Sequence, residues 1–183
     1  SEAREVNQRK RLALLLAARA LTGGSADKER VKQQEGSADS GMLVLDTHLD
    51  TRLHFGRQGW SFADRHTLAT DLSQLDIPRM KDGNLDGGFF AIYTEQGPLT
   101  AKAYADALAF ARARSDLIDR TIAKYPDAIA PALTAADALR LNKEGKLIAF
   151  KSMENSYPLG KDLSLLGEFY KKGLRLAGPV HSK

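Results

Sequence analysis

The chain has 183 residues, 43% apolar and 27% charged, with a formal net charge of +4 and no cysteine. That length suits one domain with a real core, and the lack of cysteine excludes disulfides, thiolate metal ligands and a cysteine nucleophile. The basic excess is front-loaded, at Arg9-Lys10-Arg11 and at Lys28, Arg30 and Lys32; with no stripe of basic and aromatic residues, nucleic acid is not expected as a partner.

Residues 1–41 differ from the rest. The basic cluster precedes the apolar run Leu12 to Ala18, and the small residues Ala20, Gly23 and Gly24 follow. This is the outline of a secretory signal, interrupted by Arg19. The run is too short for a membrane-spanning helix, which needs about 20 apolar residues; a short amphipathic helix is the alternative. Residues 25–41, rich in Ser, Gly, Lys, Glu and Gln, read as a linker with little drive to fold. The chain therefore divides into a signal-like segment with a flexible linker over 1–41 and a folded domain over 42–183. The signal implies an exported, periplasmic or cell-envelope protein, with the cytoplasm as the alternative.

Ordered structure is expected from Met42. The run Met42-Leu43-Val44-Leu45 leading into Asp46-Thr47-His48-Leu49-Asp50 reads as a buried strand. Strict alternation would put Asp46, His48 and Asp50 on one face. An imidazole and a carboxylate two residues apart on a face can hold one metal ion; a strand-end histidine beside two solvated acids is the other reading. A loop with Gly56, Gly59 and Trp60 follows, and Asp71 to Met80 leads to Gly83 and the pair Gly87-Gly88. Phe89-Phe90-Ala91-Ile92-Tyr93 is apolar on both faces, as in a parallel strand covered by helices.

From Thr100 to Lys124 the pattern is helical, with Tyr104, Leu108, Ala111, Leu117, Ile118 and Ile122 at three- and four-residue steps and Pro126 as the stop. Thr134 is the expected N-cap of a second helix ending near Gly145, with Asp137 in the capping-box position. Leu147 to Glu154 is the third strand, with Ile148, Phe150, Ser152 and Glu154 on one face; Leu163 to Lys172 is a helix stopped by Gly173; Leu174 to His181 is the fourth strand.

Alternating strands and helices imply an α/β fold with a parallel sheet and right-handed crossovers. Three of the four strands end in polar residues, namely His48 with Asp50, Glu154, and His181. Chemistry at strand carboxyl ends is the mark of a TIM-like (β/α) barrel. A doubly wound open sheet also binds there, but no Gly-rich phosphate loop follows the first strand, so nucleotide binding is not expected.

Five blocks together resemble the membrane (renal) dipeptidase family of zinc metallopeptidases: Asp46-Thr47-His48-Leu49-Asp50, Asp76-Ile77-Pro78-Arg79-Met80, Gly87-Gly88-Phe89-Phe90-Ala91-Ile92-Tyr93, Glu154, and Val180-His181. The resemblance covers residues 42–183. It implies a (β/α)8 barrel, of which this chain supplies the amino-terminal half as four parallel strands with covering helices. It implies hydrolysis of dipeptides by a water activated between two zinc ions, with His48 and Asp50 on one zinc and Glu154 bridging both. His181 would contact the substrate and its tetrahedral intermediate.

The same resemblance places the family's remaining ligands and carboxylate anchors after His181, so turnover by the 183-residue chain alone is expected to be weak or absent. Two open sheet edges would favour a homodimer or self-association. Arg52 stands where the family usually has proline, and Asn155-Ser156 where many members carry glycines. His54 and His66 match no ligand position and read as ordinary loop residues. Lys151 invites comparison with amidohydrolases that bridge metals through a carbamylated lysine, but by alternation it faces away from Glu154. A non-catalytic pseudoenzyme or interaction fragment, or a metal-dependent amidohydrolase acting on a non-peptide amide or lactone, are the alternative functions.

Overall fold

Gly87–Tyr93 and Leu147–Glu154 are buried on both faces and pair with each other in parallel register from Gly87↔Ile148 to Tyr93↔Glu154. Around this central pair the computed structural model, which describes residues 42–181, builds one sheet. The signal-like segment and linker expected over 1–41 lie outside the described residues.

The sheet has five parallel strands: β1 (Leu45–Leu49), β2 (Gly87–Tyr93), β3 (Ile129–Pro131), β4 (Leu147–Glu154) and β5 (Leu174–Ala177). The helices are α1 (Leu68–Asp71), α2 (Ile77–Asp82), α3 (Ala101–Ile122), α4 (Ala135–Lys143) and α5 (Ser164–Lys171). All four expected strands are present and parallel. The fifth, β3, is a three-residue addition that pairs with Leu147–Ala149, while β5 pairs further along the same edge of β4 at Lys151–Met153. So short a strand, ending in a proline that cannot donate to the ladder, leaves no periodicity in the sequence. The expected strands run β1-β2-β4-β5 in chain order, without the reversal of a doubly wound sheet. Sequential parallel order is that of a (β/α) barrel wall.

The two faces carry separate apolar clusters. One gathers Phe90, Ile92, Leu147, Ala149 and Met153 from the sheet beneath Ala111, Ile118 and Ile122 of α3. The other joins Ile148 and Phe150 to Ala138 and Leu141 of α4, with Phe89 stacked on Phe150 at 4.8 Å. Arg112 of α3 donates to both carboxylate oxygens of Glu168 on α5 (2.8 and 2.6 Å), a bidentate tie between covering helices. Thr134 caps α4 as expected, accepting from the Asp137 N–H (3.1 Å). The Asp137 carboxylate accepts from the Thr134 hydroxyl (2.9 Å) and, one residue further back, from the Leu133 N–H (3.1 Å).

Glycine is required at two points of closest approach. A Cβ on Gly87 would overlap the Ile148 carbonyl, and one on Gly88 would lie 2.5 Å from the Asp46 carbonyl and 2.7 Å from Leu49. The Gly87-Gly88 pair therefore lets β1 and β4 close on β2.

Candidate metal centre

β1 is shorter than its apolar run suggests, and it bulges. Asp46 pairs with Gly88 but Leu49 pairs with Phe90, so one extra residue sits between them. Paired residues of a parallel ladder share a face, so Asp46 lies on the face of Leu49 and Phe90. The expectation that Asp46, His48 and Asp50 share a face fails for this reason. Asp46 instead accepts from the His48 N–H (2.8 Å), which fastens the bulge. Asp50 lies beyond the strand, at the start of a 3-10 turn over Asp50–Leu53.

The bulge and the turn together turn His48 and Asp50 toward the end of β4. His48 Nε2 lies 3.4 Å from Asp50 Oδ2 and 3.2 Å from Glu154 Oε2. One ligand atom from each of the three residues falls within a 4.8 Å group, the one such cluster among the described residues. Glu154 uses its other oxygen toward His181, with Oε1 at 3.3 Å from Nε2. His181 does not sit on β5, which ends at Ala177 rather than running to His181 as expected; it lies four residues further on, in the following loop. Its ring meets that of Tyr93 edge-on at 5.1 Å.

That loop is tied to the end of β4. Gly178 N–H donates to the Met153 carbonyl (2.8 Å), Ser156 Oγ donates to the Gly178 carbonyl (2.9 Å), and Ser156 N–H to the Pro179 carbonyl (3.3 Å). Between Glu154 and Ser156, Asn155 adopts a left-handed backbone with φ 66°. Asparagine tolerates that region better than other residues with a Cβ. Its buried side chain donates to the Thr94 carbonyl (3.1 Å) and accepts from the Tyr157 N–H (3.2 Å). Asn155, Ser156 and Tyr93 thus shape the site, and sequence reasoning assigned them no part in it. The polar pair directly after a buried strand was the available signal.

The other candidates separate cleanly. Lys151 points to the opposite face, where Nζ donates to Ser115 Oγ (3.1 Å) and Asp119 Oδ2 (2.8 Å) of α3. His66 belongs to a polar network under the loop between β1 and β2. Its ring stacks on Trp60 at 4.8 Å, Nε2 donates to the Ser61 carbonyl (2.7 Å), and Nδ1 faces Asp71 Oδ2 at 2.6 Å. Burial works to raise the Asp71 carboxyl, but bonds from Ser73 and His66 outweigh it and hold the group below its ordinary range. Asp76, fully buried as the N-cap of α2, shows the same balance. Burial raises it, and the N–H groups of His66 and Arg79 with the Arg79 guanidinium bring it below the usual carboxylate value. His54 stacks on the other side of the loop, 5.4 Å from Trp60, and lines a cleft of about 390 Å³ with His48, Asp50, Leu53, Leu72 and Leu75.

One imidazole nitrogen and two carboxylate oxygens are a zinc donor set. In a tetrahedral site with bonds of about 2.0–2.1 Å, ligand atoms stand about 3.3 Å apart. The separations of 3.4 and 3.2 Å around His48 Nε2 match that spacing.

Comparison with known proteins places this arrangement in context. A family model described as membrane dipeptidase (peptidase family M19) matches residues 34–183. Dipeptidase tcpJ of Claviceps purpurea is 29% identical over 146 residues, covering 75% of this chain and 34% of that protein. Dipeptidase ataJ of Aspergillus terreus is 27% identical over 116 residues, 61% and 28% of the two chains. Among solved structures, the probable dipeptidase PvdM from Pseudomonas aeruginosa superposes with a TM-score of 0.70 at 26% identity, over 85% of this chain and 38% of that one. A metallo peptidase from Rhodobacter sphaeroides, liganded with a phosphinate mimic of the dipeptide L-Ala-D-Ala, gives 0.60 at 28% identity, over 78% and 46%. The chain spans about a third of the length of the curated relatives it matches.

Proposed function

Since this chain belongs to the membrane dipeptidases, peptidase family M19, we propose that its strand ends form part of a zinc-dependent dipeptidase site, with His48, Asp50 and Glu154 as metal ligands. The observation that carries this reading is the position of His48 Nε2 between Asp50 and Glu154, with His181 on the second oxygen of Glu154. Zinc, when bound, supplies Lewis acidity that polarises a scissile carbonyl and makes water nucleophilic near neutral pH.

The chain's own residues do the rest. Glu154 presents one oxygen toward His48 and the other toward His181, so it would hold zinc beside His48 through one oxygen and serve a further partner through the other. Asn155 holds the turn directly after Glu154, through the Thr94 carbonyl and the Tyr157 N–H. Asp50 completes the negative set around His48. His181 places an imidazole at the mouth of the site, where a ring N–H donates to the oxyanion that develops on attack at a dipeptide carbonyl. The cleft beside His48 and Asp50, which neither Glu154 nor His181 lines, would receive the part of the substrate on the His48 side of the site.

The described residues contain one three-ligand cluster, so the 183-residue chain is expected to fill a single zinc site and to hydrolyse dipeptides weakly or not at all. The test is zinc binding and hydrolysis of an alanine-containing dipeptide by the zinc-loaded chain. Chelator-sensitive hydrolysis, lost in Glu154→Gln, supports the dipeptidase reading. Tight zinc binding with no hydrolysis either by this chain or by one extended through the remaining barrel strands favours the non-catalytic alternative. No zinc binding overturns the site.

A further inference from the structure

Leu72 stands out on the rim of the cleft. Its side chain is 72% exposed, and its backbone has φ 63°, the left-handed region that leucine rarely adopts. Such a conformation costs about 1–2 kcal/mol and persists only where the surroundings fix it. Here they do. Leu72 ends α1 with its N–H on the Leu68 carbonyl (3.2 Å). On one side, Asp71 is held by His66 and accepts from the Ser73 N–H (2.9 Å). On the other, Ser73 is fully buried, accepting from Trp60 Nε1 at Oγ (2.8 Å) and from Arg79 at its carbonyl (2.9 Å). A buried polar network therefore holds a strained backbone whose one projecting product is an apolar side chain facing water. That side chain shares its cleft with His48 and Asp50, and with the exposed Leu53 and half-buried Leu75.

Among the described residues packing gives no reason for this leucine, since glycine or asparagine would fit the backbone and a polar residue would fit the exposure. We propose that Leu72 is a specificity-determining residue that contacts an apolar side chain of the dipeptide, with Leu53 and Leu75 forming the rest of that wall. The inference rests on the dipeptidase reading and extends it from dipeptides in general to those carrying a sizeable apolar residue.

Leu72→Gly removes the side chain while suiting the left-handed backbone. The experiment titrates the zinc-loaded 183-residue chain, wild type and Leu72→Gly, calorimetrically with two phosphinate dipeptide mimics, one with alanine and one with leucine side chains. Thermal unfolding is followed in parallel. The wild type is expected to bind the leucine mimic at least roughly tenfold more tightly, the scale of added methylenes in an apolar pocket. In Leu72→Gly the two mimics should approach parity, with zinc affinity unchanged and Tm unchanged or raised. Equal binding of both mimics by the wild type, or an undiminished preference in Leu72→Gly, overturns the proposal and leaves the dipeptidase reading standing. Lost preference with lowered Tm or weakened zinc binding assigns Leu72 a structural role and also overturns it. Zinc binding without binding of either mimic overturns this inference, and no zinc binding at all overturns the dipeptidase reading and this inference with it.

Discussion

Replacing Asp76 with alanine should unfasten the loop that walls the cleft. The carboxylate is fully buried and accepts from three donors: the His66 N–H (2.9 Å), the Arg79 N–H (2.7 Å) and Arg79 Nε (2.6 Å). Losing the N-cap of α2 costs about 1 kcal/mol. Removing a charge-assisted bond to the guanidinium costs about 1.5–3 kcal/mol, and an orphaned buried N–H at His66 adds on the order of 1 kcal/mol or more. The expected destabilisation is roughly 3.5–5 kcal/mol, within the range for breaking a buried ion pair. Asp76→Asn keeps one acceptor oxygen and should lose about half as much. Urea unfolding followed by fluorescence suits the question, because the single tryptophan, Trp60, sits in the same network. A loss below about 1 kcal/mol for Asp76→Ala would refute the view that this network organises the loop.

The other predictions concern acidity, packing, the turn after Glu154 and association. Asp71 and Asp76 titrate below their ordinary values in the folded chain, so they stabilise it above the unfolded carboxylate range and that contribution disappears as pH falls through the folded values; stability measured from pH 6 to pH 2 should decline, and Asp76→Asn should flatten the decline. Gly88→Ala pushes a methyl against the Asp46 carbonyl and Leu49; it should cost about 1–3 kcal/mol by chemical denaturation and weaken zinc binding by disturbing the strand that carries His48. Asn155→Ala leaves the Thr94 carbonyl and Tyr157 N–H without their partner and keeps the left-handed backbone; roughly 2–3 kcal/mol should be lost, and Asn155→Gly should lose less. β1 pairs on one edge only among the described strands, and Val44 beside it is exposed, so light scattering should show mass rising with concentration through edge pairing; a constant monomer mass would count against this.

The sequence shows the strands and the chemistry more clearly than the way they meet. Phe89 to Tyr93 and Leu147 to Glu154 are legible because apolar runs on both faces belong to parallel strands. Thr134 is legible as a cap because a hydroxyl before a periodic segment has one common use. The convergence of Glu154 with His48 and Asp50 was expected from the family resemblance, while the shared face of Asp46, His48 and Asp50 was expected from an alternation that the structure does not follow. A bulge is a register difference between two strands, so the residues of β1 alone could not reveal it. The His66–Asp71–Asp76 network was hidden for a similar reason: its members lie up to ten residues apart in a loop with no period, and only folding joins them. β3 was too short to show.

The central claim is that His48, Asp50 and Glu154 hold zinc. Crystals of the chain grown or soaked with zinc, measured on both sides of the zinc absorption edge, test it most directly. The account predicts an anomalous peak about 2.0–2.2 Å from His48 Nε2 and from a carboxylate oxygen of Asp50 and of Glu154, and no peak there in Glu154→Gln or His48→Ala crystals. Saturating zinc that leaves this position empty, or that binds only elsewhere on the chain, would contradict it.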